Sequence, residues 1–204
     1  LKKSDLIQSV DFFKPIVSDL FISGHIAANH CLNDLYAKGV NAHSAQAIIN
    51  LDENSSQTEE DLFQILAGAN TAFAREGVEL VGGHTNIGKE FGFGFVCNGF
   101  QEKADFYSKR DARVDDIIII TKPIGVGLVF AADMRNKITP LCVDAAIQSM
   151  LHSNYNAINT MKKYKIHACT DVTGFGLAGH LYEIIKASNL TAFIELNKIP
   201  LLPE

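Results

Sequence analysis

The sequence predicts a mixed α/β to α+β protein with two domains, and three observations support this prediction. Strand-like and helix-like hydrophobic patterns both occur, without the strict alternation of a simple parallel-sheet protein. A charged and weakly patterned stretch, residues 101–116, divides the chain. With 204 residues, of which 47% are hydrophobic, the chain is long enough for one large domain or two small ones. We therefore predict domains at residues 1–112 and 113–204.

The first half is predicted to hold four strands and two helices. In chain order these are a strand at Leu6–Phe13, a helix from Ile22 to Lys38 ended by Gly39, a strand at Ala42–Leu51, a helix from Thr58 to Glu76, and strands at Val78–Val81 and Phe91–Phe100. Thr58 and Asp61 form a capping-box-like start to the second helix. The alternating aromatics and glycines of the last strand predict close contact with another backbone.

The second half is predicted to hold three strands and three helices. Four consecutive isoleucines predict a strand at Ile117–Thr121 that is buried on both faces. The remaining predicted elements are helices near Leu128–Arg135 and Pro140–Tyr164, a strand at Ile166–Thr170, a helix at Leu177–Ala187 and a strand at Thr191–Leu196.

The composition excludes several classes of function. A net charge of −5 argues against a nucleic-acid-binding protein, which normally carries a basic surface. The four cysteines are widely spaced and form no CxxC pair, so a reducing cytoplasm is predicted and zinc or disulfide sites are not. No signal peptide and no apolar run of membrane-spanning length is visible, which predicts a soluble protein.

The most informative segment reads His-Ala-Cys-Thr-Asp-Val-Thr-Gly-Phe-Gly-Leu-Ala-Gly-His, at residues 167–180. It places Asp171 after a predicted strand and before a glycine-rich turn that opens a helix. Mg²⁺ typically takes one or two carboxylates and fills its other positions with phosphate oxygens and water. A metal–nucleotide site is therefore indicated, although an N-cap or turn aspartate is the alternative.

The same segment contains G-x-G-x-x-G, formed by Gly174, Gly176 and Gly179. This is the dinucleotide-binding fingerprint, so an NAD- or FAD-dependent oxidoreductase is a second hypothesis. The late position of the motif and the nearby negative charge of Asp171 argue against it. The acidic residue expected about 20 positions later is at best Glu195.

Two further aspartates are candidates for the same chemistry. Asp34 lies four residues after His30, so a helix would stack the two side chains on one face. A solvated helix face is the alternative for this pair. Asp11 lies among strand residues beside two phenylalanines, and a carboxylate buried there must be paired, bound to metal or at an edge.

Gly82, Gly83 and His84 follow a predicted strand and could present N–H groups to a phosphate. A tight structural turn is the alternative. Lys122, beside Pro123 and Gly125, is a weaker candidate for a cation near phosphate, and the alternative is an ordinary surface lysine.

Taken together, several segments resemble the selenide, water dikinase (selenophosphate synthetase) family of the AIR-synthase-like ATP-binding superfamily. The runs Asp-Phe-Phe-Lys-Pro-Ile-Val and Thr-Asp-Val-Thr-Gly-Phe-Gly-Leu-Ala-Gly-His are the most specific of them. The matching segments, in family order, are residues 9–17, 26–29, 34–37, 81–85, 121–127, 170–181 and 199–203.

The resemblance implies a kinase reaction in which ATP, selenide and water give selenophosphate, AMP and phosphate. It implies that Asp34 and Asp171 ligate Mg²⁺, and that Asp11 lies against the nucleotide phosphates, either directly or through a metal. Three carboxylates around a triphosphate require cations to cancel their repulsion.

The resemblance also implies that Gly82, Gly83 and His84 contact ATP. It implies a two-domain AIR-synthase-like fold, with an N-terminal α/β domain whose strands pair across a homodimer, an ATP site near that interface, and a C-terminal α+β domain. The family's catalytic cysteine or selenocysteine and its lysine are expected upstream of Leu1, so no catalytic residue is predicted within the chain. The 204 residues alone are therefore expected to bind nucleotide weakly or not at all, and to make no selenophosphate.

Two other classes of protein stay open at this point. Another superfamily member, which makes a purine intermediate or phosphorylates thiamine phosphate, would share the ATP site but not the run that begins at Thr170. A non-catalytic scaffold would keep the fold and show no Mg²⁺-dependent ATP binding.

Overall fold

The computed structural model describes residues 5–101 and 106–203, and it divides into two compact units, Leu1–Phe106 and Tyr107–Glu204. The described residues of the first unit form four strands and two helices. These are β1 (Asp5–Phe13), α1 (Leu20–Tyr36), β2 (Ala42–Asp52), α2 (Thr58–Arg75), β3 (Glu79–Gly88) and β4 (Gly92–Gln101).

The strands of the first unit form one mixed sheet in the order β1-β4-β2-β3. β4 is antiparallel to both β1 and β2, whereas β2 and β3 are parallel. Among the described residues, β1 and β3 are therefore the two edges of the sheet. The order of strands and helices predicted for this half is confirmed, with boundaries that differ by at most two residues except at the end of β3.

Helices α1 and α2 cover one face of the sheet and form the core with it. Phe73 of α2 packs edge-on against Phe95 of β4, with ring centroids 5.2 Å apart. The two helices approach closely at Gly24, where a Cβ would overlap the carbonyl of Ile65. The predicted close contact of strand β4 is confirmed as well, because a Cβ on Gly94 would overlap the carbonyl of Asp11.

Two local predictions in this unit are wrong. Gly82, Gly83 and His84 lie within β3, which continues to Gly88, rather than in a turn after a shorter strand. Ladder bonds to β2 hold these residues extended, although glycine has a low intrinsic preference for strands. The capping box is also absent: Gln57 is the N-cap of α2 without a side-chain bond, and Asp61 accepts a hydrogen bond from the hydroxyl of Ser55 at 2.6 Å.

The second unit contains four helices and a short 3₁₀ turn. These are α3 (Val126–Asp133), α4 (Pro140–Leu151), α5 (Tyr155–Met161), α6 (Gly176–Ser188) and the 3₁₀ turn Leu196–Lys198. The single helix predicted at 140–164 is broken at His152, whose backbone is extended. Within the described ranges, no helix has both the length and the apolar character needed to cross a membrane.

The three strands predicted for the second half are not formed among the described residues of this unit. The only bridge there joins Ile124 to Leu201. Ile117 and Ile119, predicted to be buried, are 86% and 80% exposed. A strand needs a neighbouring strand to satisfy its backbone groups, and the described part of this unit supplies none beside the isoleucine run.

Candidate functional site

Four polar side chains of the first unit meet between strand β1 and helix α1. Ser9 and Asp11 alternate along β1, so both point to the helix-covered face. On α1, His30 and Asp34 lie one turn apart, as their spacing predicted. The hydroxyl of Ser9 donates a hydrogen bond to Oδ2 of Asp34. His30 Nε2 lies 3.8 Å from Asp11 Oδ2.

These groups are neither fully buried nor fully solvated. The side chains of His30 and Asp11 are 37% and 27% exposed. Asp11 Oδ2 is nevertheless inaccessible to solvent and makes no hydrogen bond within the described structure. A buried carboxylate oxygen without a hydrogen bond is costly unless another ligand satisfies it.

The negative charge of this cluster reaches the thiol of Cys97. A hydrogen bond with Cys31, burial, and the charges of Asp11 and Asp34 together raise the pKa of Cys97 far above its usual value. Cys97 is completely buried. Its thiol therefore stays protonated and is not a nucleophile.

The cluster fits a magnesium ion that also binds phosphate. Among the described residues, no three His, Cys, Asp or Glu side chains are grouped closely enough to hold a metal by themselves. Mg²⁺ does not require such a cage, because it commonly uses one or two carboxylates together with phosphate oxygens and water. The solvent-inaccessible Oδ2 of Asp11 is the acceptor that such an ion would satisfy.

Gly82, Gly83 and His84 lie on β3, at the opposite edge of the sheet from Asp11. The register steps from Ala45 opposite Leu80 to Gln46 opposite Gly82, so a β-bulge immediately precedes the two glycines. Such bulges are common at sheet edges and next to active sites.

The same three residues line an open depression of about 270 Å³. Its other walls are Ala47 of β2, Leu66 of α2, and Leu80 and Thr85 of β3. The volume is slightly below the range of about 300–1,000 Å³ that is usual for small-molecule sites. The depression is therefore smaller than a typical site for a whole small molecule.

The structure brings Asp11 and Asp34 together but keeps them apart from Gly82–His84 within one chain. Strands β4 and β2 lie between the two edges. Three inter-strand steps of about 4.8 Å correspond to about 14 Å across the sheet. The two groups of predicted residues therefore form separate surfaces of this unit.

Asp171 lies in the second unit, on the half-buried segment that leads into α6. Thr170 Oγ1 donates to Asp171 Oδ1 at 3.5 Å, which is a weak contact. A turn follows, in which Gly176 N–H donates to Thr173 O at 2.9 Å and Gly176 adopts φ 67°. Residues 166–170 form no paired strand, so the βαβ context that a dinucleotide-binding fingerprint requires is missing from the described structure.

Lys122 is engaged within the protein. Its Nζ donates to the carbonyl oxygens of Ser149 and His152, at 2.9 Å in both cases. Burial lowers the pKa of Lys122. This lysine therefore caps the C-terminal end of α4, a role that neither sequence interpretation had predicted.

The sequence reasoning did not single out Ser9, Thr173 and His180 as individual site residues. Ser9 could have been found, because a period of two places it on the same strand face as Asp11. His180 lies one helical turn into α6, and its contact with Thr173 depends on the turn between them. No local pattern signals that contact.

Two family models match this chain in sequence. The N-terminal domain of AIR synthase related protein matches residues 1–100, and the C-terminal domain of the same family matches residues 113–204. The selenide, water dikinase of Treponema denticola is 36% identical over 200 residues, which cover 98% of this chain and 56% of that protein. The selenide, water dikinase of Clostridioides difficile is 36% identical over 197 residues, with 97% and 56% covered. The chain thus spans about half the length of these curated relatives.

Solved structures share the fold at lower identity. Thiamine-monophosphate kinase from Stenotrophomonas maltophilia superposes with a TM-score of 0.85 at 18% identity, covering 98% of this chain and 66% of that one. The hydrogenase maturation protein HypE, in a complex with ATP, superposes with a TM-score of 0.75 at 21% identity, covering 91% and 57%. These similarities establish an AIR-synthase-like fold.

Proposed function

Since this chain belongs to the family of AIR synthase related proteins, we propose that it acts in a selenide, water dikinase. The reaction converts ATP, selenide and water into selenophosphate, AMP and phosphate. Two phosphoanhydride bonds break: one phosphoryl group is transferred to selenium and the other to a water oxygen. The observation that carries the proposal is the 36% identity to the Treponema denticola dikinase along 98% of this chain.

The proposed roles of the carboxylates follow from the resemblance to the dikinase family. Asp34 and Asp171 are each proposed to ligate Mg²⁺ that is bound to ATP, and Asp11 to face the nucleotide phosphates, directly or through a metal. A bound Mg²⁺ would offset the negative charge that develops on the transferred phosphoryl group. Ser9 holds the Asp34 carboxylate in position. The solvent-inaccessible Oδ2 of Asp11 is the local feature that supports a ligand at this cluster.

Gly82, Gly83 and His84 are proposed to contact ATP. The open depression that they line supports this role. Because the absent Cβ of Gly83 would overlap the backbone of Ala47, that position admits only glycine if strands β2 and β3 are to stay paired.

A homodimer with the ATP site near its interface is proposed as the assembly. The sheet face that α1 and α2 leave uncovered carries Leu6, Val10, Phe12 and Phe100, which are 51%, 61%, 52% and 53% exposed. Apolar patches of this kind typically mark protein interfaces.

We further propose the domain limits 1–112 and 113–204 and a cytoplasmic location, which the cysteine usage of the sequence favours.

The test is product analysis with the full-length protein. ³¹P NMR of reactions with Mg²⁺, ATP and selenide is expected to show selenophosphate, AMP and phosphate in equal amounts. Asp171→Asn is expected to abolish this turnover without loss of the fold, whereas Asp133→Asn, an exposed carboxylate of the same unit, should leave it unchanged. ATP turnover that does not depend on selenide would contradict the proposal.

A further inference from the structure

Two contacts bracket the segment that carries Asp171, one on each side and each two residues away. Before Asp171, Cys169 N–H donates to the carbonyl of Ser108 at 3.0 Å. After it, at the start of the glycine turn, Thr173 Oγ1 lies 3.2 Å from His180 Nε2. The backbone around Asp171 is thus fixed at both ends.

The Thr173–His180 contact continues through helix α6. His180 is only 5% exposed, and its Nδ1 lies 3.5 Å from Oε2 of Glu183, one helical turn further on, which is a close approach without a hydrogen bond. The same carboxylate oxygen accepts a hydrogen bond from Lys109 Nζ at 2.7 Å. The hydrogen bond and charge of Lys109 lower the pKa of Glu183, so its carboxylate is ionised.

Both contacts end on one short segment, because Ser108 and Lys109 are neighbours in sequence. That segment is itself attached to the end of α6: the Ser188 hydroxyl accepts from Ala112 N–H at 3.2 Å and donates to Lys109 O at 3.5 Å. The contacts therefore form a closed ring that includes the Asp171 segment, from Ser108 through Cys169 and Thr173 to α6 and back.

The glycine turn that follows the Asp171 segment, between Thr173 and helix α6, has little packing to hold it. A Cβ built on Gly174 or Gly176 would meet nothing within 4 Å. Glycine also permits more backbone conformations than other residues, so a glycine turn needs external contacts to stay in one of them. The Thr173–His180 pair, which spans the turn, supplies such a contact.

We propose that Lys109, Glu183, His180 and Thr173 are positioning residues that hold the Asp171 carboxylate in place for a metal-bound phosphate. This inference rests on the proposed function, in which Asp171 is a magnesium ligand. Exposed ion pairs such as Lys109–Glu183 contribute little to overall stability. Contacts behind a metal ligand commonly change metal affinity, because they fix the orientation of that ligand.

The test uses Lys109→Met in the full-length protein, with Lys198→Met as its matched control. Lys198 forms a similar pair with Glu195, at 2.8 Å, that has no link to the turn. Lys109→Met is expected to speed amide hydrogen exchange in residues 170–176 without nucleotide, and to raise the Mg²⁺ concentration for half-maximal ATP turnover about tenfold. Lys198→Met should change neither quantity, and both melting temperatures should stay close to that of the parent.

A second pair of variants examines the hydroxyl of Thr173. Thr173→Val keeps the shape of the side chain and removes its contact with His180, whereas Thr173→Ser keeps the hydroxyl. The valine variant should reproduce both effects of Lys109→Met, and the serine variant should restore most of the magnesium affinity. A merely structural role would change melting temperature rather than magnesium dependence.

The proposal is overturned if exchange at residues 170–176 and the magnesium requirement are the same in Lys109→Met, Thr173→Val and Lys198→Met. A parent protein without Mg²⁺-dependent ATP turnover would contradict the proposed function instead. In that case the exchange measurement, which needs no ligand, still decides whether the ring holds the turn.

Discussion

The hydroxyl of Ser9 donates a hydrogen bond to Oδ2 of Asp34, and this bond joins the edge strand β1 to helix α1. Two residues further along the strand, Asp11 faces His30, one turn earlier on the same helix. Two carboxylates are thus supported by groups on two rigid elements. Sites built on helices and strands are held more precisely than sites on loops.

Replacement of Ser9 by alanine should weaken both the fold and the magnesium response. Loss of one donor to a part-buried carboxylate is expected to cost about 1–2 kcal/mol in the free energy of unfolding. Urea denaturation and Mg²⁺ titration of ATP turnover measure the two effects. Ser9→Thr keeps the hydroxyl and is the control; equal stability of the alanine and threonine variants would contradict the prediction.

Gly83→Ala should be more destabilising than Gly82→Ala. The two glycines have nearly the same φ, 157° and 159°, so any backbone cost is shared. A Cβ on Gly83 would overlap the Ala47 backbone, whereas a Cβ on Gly82 would meet nothing within 4 Å. We expect a difference of about 1–3 kcal/mol, typical of overpacking, in urea denaturation of the first unit. Equal effects would show that β3 moves freely away from β2.

His25 should make the first unit less stable in mild acid. It is 6% exposed, and burial followed by the positive charge of Arg75 lowers its pKa below 6.5 in the folded state. The unfolded chain therefore binds this proton first as the pH falls. Above pH 6.5, His25 is neutral in both states and the fold keeps its full stability. As the pH falls from 6.5 toward the lower pKa of the folded state, the free energy of unfolding decreases.

The measurement is the free energy of unfolding at several pH values between about 7.5 and 5, the range around the ordinary pKa of histidine. His25→Gln should flatten the decline with falling pH. His43→Gln, which replaces an exposed histidine on β2, should leave the decline unchanged. An unchanged slope in His25→Gln would refute the assignment.

Lys122→Met should loosen the end of helix α4. The substitution removes two charge-assisted hydrogen bonds to the carbonyls of Ser149 and His152. We expect a loss of about 1.5–3 kcal/mol in the free energy of unfolding of the second unit. Lys137→Met, at an exposed lysine of that unit, is the control. Faster amide exchange at residues 149–154 in Lys122→Met alone would locate the effect.

Much of the first unit is predictable from its sequence because its elements are amphipathic and its partners are close in the chain. The alternation of apolar and polar residues along β1 and the apolar stripe along α1 predict both the secondary structure and the faces that pack together. The capping of α2 was mispredicted since Ser55 competes for the Asp61 carboxylate that the capping box would use. Whether Gly82–His84 form a turn or a strand depends on their hydrogen bonds with β2. The local sequence of these residues does not indicate that pairing.

The second unit shows the limit of the same reasoning. Four isoleucines indicate an extended segment, but they do not say whether a neighbouring strand will pair with it. At the break at His152 within the predicted long helix, the His152 carbonyl accepts a hydrogen bond from Lys122, which lies far away in sequence. The ring around Asp171 likewise joins residues 109 and 183, and such a contact is visible only once the chain is folded.

The uncovered isoleucine run of residues 117–120 has a consequence for the handling of this polypeptide in isolation. A short segment of high β-propensity, without charge, proline or glycine, is a template for cross-β stacking with identical copies. Here the run is only four residues long, and the charges of Asp115, Asp116 and Lys122 on either side act against such stacking. A charged substitution such as Ile119→Lys, at a side chain 80% exposed, would act as a gatekeeper against it.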